Sequence, residues 1–144
     1  MVGAELPCES VLLHFPQQIP PVELDYLHID QVLTNLIENA VRYTPPDAPI
    51  EVNAQIKGEQ VVLCVADRGP GIPPDDLERV FDKFYRVLHG KHPAGYPMGS
   101  GLGLAVCKGL VEANGGRIWA DLREGGGLVV CATLPRSERE RMGL

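Results

Sequence analysis

Residues 30–44 read Asp30-Gln31-Val32-Leu33-Thr34-Asn35-Leu36-Ile37-Glu38-Asn39-Ala40-Val41-Arg42-Tyr43-Thr44, and two stripes run through them. With Ile29 just upstream, Val32, Leu33, Leu36, Ile37 and Ala40 recur at the alternating short spacing that makes one face of an α-helix. The pattern predicts a helix over about His28–Thr44, capped by Asp25 or Asp30 and stopped by Pro45-Pro46. Beside the apolar stripe, Asn35, Glu38, Asn39, Arg42 and Tyr43 share a second face. A solvated helix surface has a similar composition, but asparagine is a poor helix former, and two of them in mid-helix call for a local reason.

Upstream of this helix, Ser10–Phe15 reads as a short strand, broken by Pro16–Pro21. Strand-like sequence so near the start is what an excised domain would carry. Downstream, Ile50–Ile56 and Gln60–Ala66 form a hairpin pattern around Lys57-Gly58-Glu59. Asp67–Pro74 is a glycine and proline turn, and a short helix is expected from about Asp75 to Phe81. Val87–Gly101 has little periodicity and reads as a long loop, of the kind that is functional or disordered in a compact domain. A second long helix, Leu102–Asn114, stops at Gly115-Gly116. Strands Arg117–Leu122 and Leu128–Leu134 then flank the turn Gly125-Gly126-Gly127, and Ser137–Leu144 is a charged, frayed tail. This order predicts an α+β two-layer sandwich, a mixed, mainly antiparallel sheet covered on one face by three helices. One domain, 1–136, accounts for the chain apart from its tail.

The bulk numbers bound the function. A chain of 144 residues supports one core, and 22% charged residues is ordinary for a globular domain. A formal net charge of −6 argues against nucleic acid as a partner, though not against a nucleotide, which needs only local donors and a metal ion. No apolar run is long enough to insert this fragment into a membrane. Cys8, Cys64, Cys107 and Cys131 form no CxxC pair, and three of them lie in apolar runs; the expectation is buried free thiols in a reducing cytoplasm.

Four stretches carry chemistry. On the polar stripe, an amide oxygen can complete the octahedral shell of Mg²⁺, which keeps waters and binds phosphate oxygens too, and Arg42 can reach a phosphate. Asp67-Arg68-Gly69-Pro70-Gly71-Ile72 places a carboxylate at a strand end, able to accept from an adenine amino group, with glycines that let backbone approach a flat ring. A simple turn has the same composition. Gly99-Ser100-Gly101-Leu102-Gly103-Leu104 feeds a helix N-terminus, an anion site in waiting, yet it matches neither the Walker A loop nor the dinucleotide fingerprint. In Phe81-Asp82-Lys83-Phe84-Tyr85-Arg86 the phenylalanines anchor the base of the long loop, leaving Lys83 and Arg86 free to swing toward phosphates.

Together and in this order, DQVLTNLIENAVRYT (30–44), DRGPGIP (67–73), FDKFYR (81–86) and GSGLGL (99–104) resemble the N, G1, F and G2 boxes of the sensor histidine kinase catalytic domain. The resemblance extends to Gly115–Ile118 and Thr133–Pro135, and within the family the sequence looks most similar to the Kdp-type potassium-responsive kinases. It implies the Bergerat ATP-binding fold with a mobile ATP lid over about residues 87–101. Asn39 would be the Mg²⁺ ligand, with Asn35 assisting at the phosphates and Arg42 contacting them. Glu38 would act as a base or orient a proton, and Tyr43 would line the pocket. Asp67 would hold the adenine amino group, with Gly69, Gly71, Ile72 and Thr133 around the ring. Lys83 and Arg86 would meet the phosphates, and Gly99, Ser100, Gly101, Leu102, Gly103 and Leu104 would form the closing lid hinge. The implied cofactors are ATP and Mg²⁺; the implied partners are a phosphoacceptor-histidine hairpin domain and a response regulator.

None of His14, His28, His89 or His92 has the context of the family's phosphoacceptor, an acidic residue followed by Arg-Thr-Pro. The acceptor is therefore expected outside this sequence. Related ATP-hydrolysing machines carry a glutamate one turn before the magnesium asparagine; here that position is Asn35, which cannot be a general base. Anti-sigma-type serine kinases share the N and G boxes but not FDKFYR, and a catalytically silent interaction module would not need Asn39, Asp67 and the glycines together.

Overall fold

In the computed structural model of the chain, the residues described are 11–14, 26–45, 47–83 and 103–135. The chain runs β1 (Val11–His14), α1 (Tyr26–Tyr43), β2 (Ile50–Lys57), β3 (Gln60–Ala66), α2 (Gly103–Ala113), β4 (Ile118–Leu122) and β5 (Leu128–Pro135). The five strands lie in the order β1-β2-β3-β5-β4. Strand β1 is parallel to β2, and the other neighbours are antiparallel, which gives the mixed, mainly antiparallel sheet expected. The loop expected at Val87–Gly101 and the tail expected at Ser137–Leu144 lie outside the described residues.

Alternation assigns the two faces of the sheet. Ile50, Val52 and Ala54 of β2, Val61, Leu63 and Val65 of β3, and Leu128, Val130, Ala132 and Leu134 of β5 are buried in one cluster with Val32, Leu36 and Ala40 of α1. From α2 the cluster takes Cys107 and Val111. Each large aliphatic side chain buried this way stabilises the fold by about 1.5–3 kcal/mol. The helices run antiparallel, joined by three polar contacts: Asn35 Nδ2 to the Gly103 carbonyl (3.3 Å), Cys107 Sγ to the Val32 carbonyl (3.6 Å), and Asn114 Nδ2 against His28 Nδ1 (3.0 Å).

Two expectations change. The helix expected at Asp75–Phe81 is instead a pair of single 3₁₀ turns, Pro74–Asp76 and Arg79–Phe81. Pro73 and Pro74 lack N–H donors, and Asp82 is already extended (ψ 145°), so the segment is too short to sustain an α-helical ladder. Two α-helices, not three, therefore cover the sheet among the described residues, and Val80 and Phe81 still enter the core. The cysteines also differ from expectation. Cys107 is a buried free thiol, but Cys64 and Cys131 stand directly opposite on β3 and β5, Cα–Cα 4.1 Å, and are joined as a disulfide. Sequence spacing hides this pair, because only strand pairing brings together residues 67 positions apart.

Candidate nucleotide site

The topology gathers one end of the sandwich. Glu51 pairs with Ala66, and Ala66 with Val129, so the start of β2, the end of β3 and the β4–β5 turn share that end. The C-terminal half of α1 leads there through the short connection to Ile50, and the antiparallel packing brings the N-terminus of α2 to the same place.

Asp67 is the first residue after β3 and is buried, at 4% exposure. Its Oδ1 accepts the backbone N–H of Gly69 (2.9 Å) and of Leu128 (3.1 Å). Both bonds land on one oxygen, and Oδ2 makes none among the described residues. Burial pushes the carboxyl above its ordinary value of 3.8; the two N–H donors and the nearby Arg123 charge oppose that rise. Asp67 follows Val65 by two positions and so turns to the helix-bearing face.

The loop after Asp67 is built to the same end. Gly71 has φ +73°, a left-handed conformation that suits glycine, and packs near Gly127 and Leu122. Ile72 lies against the core. Arg68 turns away and donates from Nη1 to the carbonyls of Glu124 (2.9 Å) and Gly126 (3.1 Å), stapling the loop to the β4–β5 turn. Gly127, at φ +110°, touches the Asp67 carbonyl so closely that a Cβ there would collide with it.

On α1, Asn35 is half-buried and its amide bridges two partners: Oδ1 accepts from Gln31 (2.9 Å) while Nδ2 donates to the Gly103 carbonyl (3.3 Å). It therefore ties α1 to the first residue of α2. Asn39 lies one turn further, about 6 Å along the axis, beyond the start of α2. Its amide is half-buried, and no partner for it is found among the described residues. Glu38 is exposed and Arg42 half-buried on the same stripe, and Tyr43 is the last residue of the helix. Gly103 opens α2, with open space where a Cβ would stand, and Leu104 packs on the core. Lys83 is exposed at the edge of the described stretch. Arg86, Gly99, Ser100, Gly101 and Leu102 lie outside the described residues.

Thr133 does not join the group. It pairs with Val62, five residues along β5 from Leu128, or about 17 Å at ~3.4 Å per residue. It also projects to the face away from the helices, and its hydroxyl accepts the Arg117 N–H (2.8 Å). Its strand end is the far end of the sheet. Conversely, reading the sequence missed Arg123, Gly127 and Leu128. The triple glycine was visible as a turn, but nothing in its spacing says that the turn folds onto Asp67.

Among the described residues no group of three or more His, Cys, Asp or Glu converges on a metal position. A buried carboxylate, a half-buried amide and a helix N-terminus gathered at one end of an α+β sandwich are the parts of an ATP-binding domain.

The chain belongs to the family described as histidine kinase-, DNA gyrase B-, and HSP90-like ATPase, whose model matches residues 24–138. It is 43% identical over 121 residues to the sensor histidine kinase WalK of Bacillus subtilis, covering 83% of this chain and 20% of WalK. It is 40% identical over 124 residues to the sensor protein KdpD of Escherichia coli, covering 86% of this chain and 13% of KdpD. Among solved structures, the mycobacterial sensor histidine kinase MprB superposes with a TM-score of 0.74 at 28% identity, covering 88% of this chain and 84% of that one. The chain thus spans a fifth or less of the length of those two sensor proteins.

Proposed function

We propose that this domain binds Mg·ATP at the described end of the sandwich and donates the γ-phosphoryl group to a histidine on a separate hairpin domain, in two-component signalling. The carrying observation is Asp67: a buried carboxylate with Oδ1 pinned by two backbone donors, which leaves Oδ2 to accept the adenine amino group. The glycine conformation at Gly71 lets the ring lie against backbone. Asn39 would offer its carbonyl oxygen to Mg²⁺, with phosphate oxygens and water completing the shell, which suits a site with no carboxylate cluster among the described residues. When bound, the metal neutralises charge on the phosphates. Arg42 and Lys83, with Arg86 by the family resemblance, would supply the cations for the same chemistry.

Phosphoryl transfer through a loose transition state asks mainly for positioning and charge neutralisation. The incoming imidazole nitrogen forms the new N–P bond as the bond from the γ-phosphorus to the bridging oxygen breaks, and ADP leaves. Glu38, exposed on α1, can hold the proton of that imidazole. Asn35, occupied by Gln31 and Gly103, offers no base for activating water, which favours transfer over hydrolysis. The response regulator would take the phosphoryl group onward. The likeness reaches both WalK and KdpD, so the domain carries a shared donor function; potassium or osmotic sensing would reside in the parent protein's other segments. The ATP supply calls for a cytoplasmic site, where the Cys64–Cys131 bridge would be open to reduction.

The test is calorimetric titration of a non-hydrolysable ATP analogue, with and without Mg²⁺, into wild type and Asp67→Asn. In the variant the amide oxygen can take over both N–H bonds, which turns the NH₂ group toward the adenine amino group. One-to-one binding that weakens in the variant is expected, and binding that ignores the substitution overturns the assignment of Asp67. Labelled ATP with candidate acceptors then separates acid-labile phosphohistidine from acid-stable phosphoserine.

A further inference from the structure

Arg123 follows β4, at the edge of the sheet farthest from β1. Its Nη2 nevertheless meets Glu51 Oε1 of β2 at 2.7 Å, and its Nη1 donates to the backbone carbonyl of Asp67 at 3.2 Å. Strands β5 and β3 lie between β4 and β2, so in a flat sheet the gap would be three strand spacings, about 14 Å. An arginine side chain alone does not span that, and Glu51 reaches out to meet it. The turn after β4 shortens the path by folding over the end of β3, through Gly125, Gly126 and Gly127, all at positive φ. Backbone bonds close the bend: Arg123 N–H to the Gly127 carbonyl (2.9 Å) and Gly126 N–H to the Arg123 carbonyl (3.0 Å).

The direction of approach matters. Ile50 and Val52 flank Glu51 and face the core, so Glu51 lies on the open face of the sheet, and the guanidinium that meets it lies there too. Asp67 faces the opposite way. Arg123 therefore grips the Asp67 peptide from behind and does not reach the ligand side. The guanidinium side chain is only 12% exposed, unlike a solvated surface pair that contributes little. Meanwhile Arg68 holds the same turn from the Asp67 loop. The two arginines fix the carboxylate's register relative to the Leu128 N–H.

We propose that Arg123 is a positioning residue for base recognition: by locking the Asp67 peptide to Glu51 from the open face, it sets where Asp67 Oδ2 meets the exocyclic group of the base. The proposal rests on the reading of Asp67 as the adenine acceptor. It makes Arg123 a determinant of base selectivity, although it touches no nucleotide.

The experiment compares ATP with ITP, whose 6-oxo group replaces the amino donor, by calorimetry on the intact chain with Mg²⁺. Wild type should prefer ATP. Arg123→Gln should lower the ATP-to-ITP preference roughly fivefold, about the worth of one hydrogen bond, and Arg123→Lys should restore part of it. Adding Arg123→Gln to Asp67→Asn should change the preference little, since both act at one contact. Should Arg123→Gln fail to fold, Glu51→Gln loosens the same grip and should move the preference in the same direction. If affinities for ATP and ITP fall in parallel, or do not change, Arg123 is merely structural and the proposal is overturned. A wild type that binds without distinguishing ATP from ITP overturns the adenine reading itself, and the role of Arg123 with it.

Discussion

Gly127→Ala is the sharpest test of how the site is built. Gly127 sits at φ +110°, where a side chain is strained by about 1–3 kcal/mol. Its neighbour Gly126 has nearly the same angle, φ +113°, but open space around a Cβ. At Gly127 the added methyl would collide with the carbonyl of Asp67 and crowd the Cα of Arg68. Backbone cannot step aside as a flexible side chain can, so the end of β3 must shift. That shift breaks the Leu128 N–H bond to Asp67 Oδ1, a hydrogen bond to a charged group worth about 1.5–3 kcal/mol. Gly126→Ala should therefore lose only the strain, while Gly127→Ala should lose about 2.5–6 kcal/mol and weaken nucleotide binding as well. Denaturant unfolding followed by the fluorescence of the single tryptophan, Trp119, measures both variants, paired with nucleotide titration. Equal destabilisation of the two variants, with binding intact, would refute the claim that the turn positions Asp67.

Three further outcomes follow from the same geometry. Burial holds the Asp67 carboxyl above 3.8, so the stability it contributes is complete below about pH 3.8 and is lost as pH rises through its raised value; Asp67→Asn should gain stability on wild type between acidic and neutral pH, and denaturation midpoints moving the other way would contradict this. Cys107 is fully buried and its thiol is pushed up to about 12, chiefly by desolvation, so iodoacetamide at pH 8 should label it only after unfolding, as mass spectrometry would read; rapid native labelling would count against its place under α1. The Cys64–Cys131 bond closes a loop of 67 residues, and its reduction should lower stability by up to about 4 kcal/mol; a melting curve unchanged by dithiothreitol, together with two free thiols at those positions, would show that the pair does not bridge in solution.

Much of the architecture was legible because it is local. The stripe from Val32 to Ala40 fixed α1 and its buried face, since helix periodicity needs only neighbours in sequence. The hairpin around Gly58 and the stop at Gly115 were equally readable, both glycines adopting positive φ. Asp67 was identifiable as a strand-end carboxylate, and it is indeed buried there. Where the reading failed, long-range pairing decided. Thr133 was expected at the pocket only through the resemblance at Thr133–Pro135, and the register of β5 carries it to the far end and the other face. The short helix at Asp75–Phe81 yielded to two prolines and an extended Asp82.

The sequence by itself determined the order of elements, the apolar face of each and the glycines that allow tight turns, because periodicity and turn chemistry act over a few residues. Only the tertiary structure decided which groups meet: Asn35 with Gly103, Cys64 with Cys131, and Arg123 with both Glu51 and Asp67. Those partners lie 56 to 72 positions apart, taking Asp67 to Arg123 and Glu51 to Arg123 as the limits (123 − 67 and 123 − 51). Contacts at that separation depend on strand order and on the bend of one turn, which no local pattern encodes.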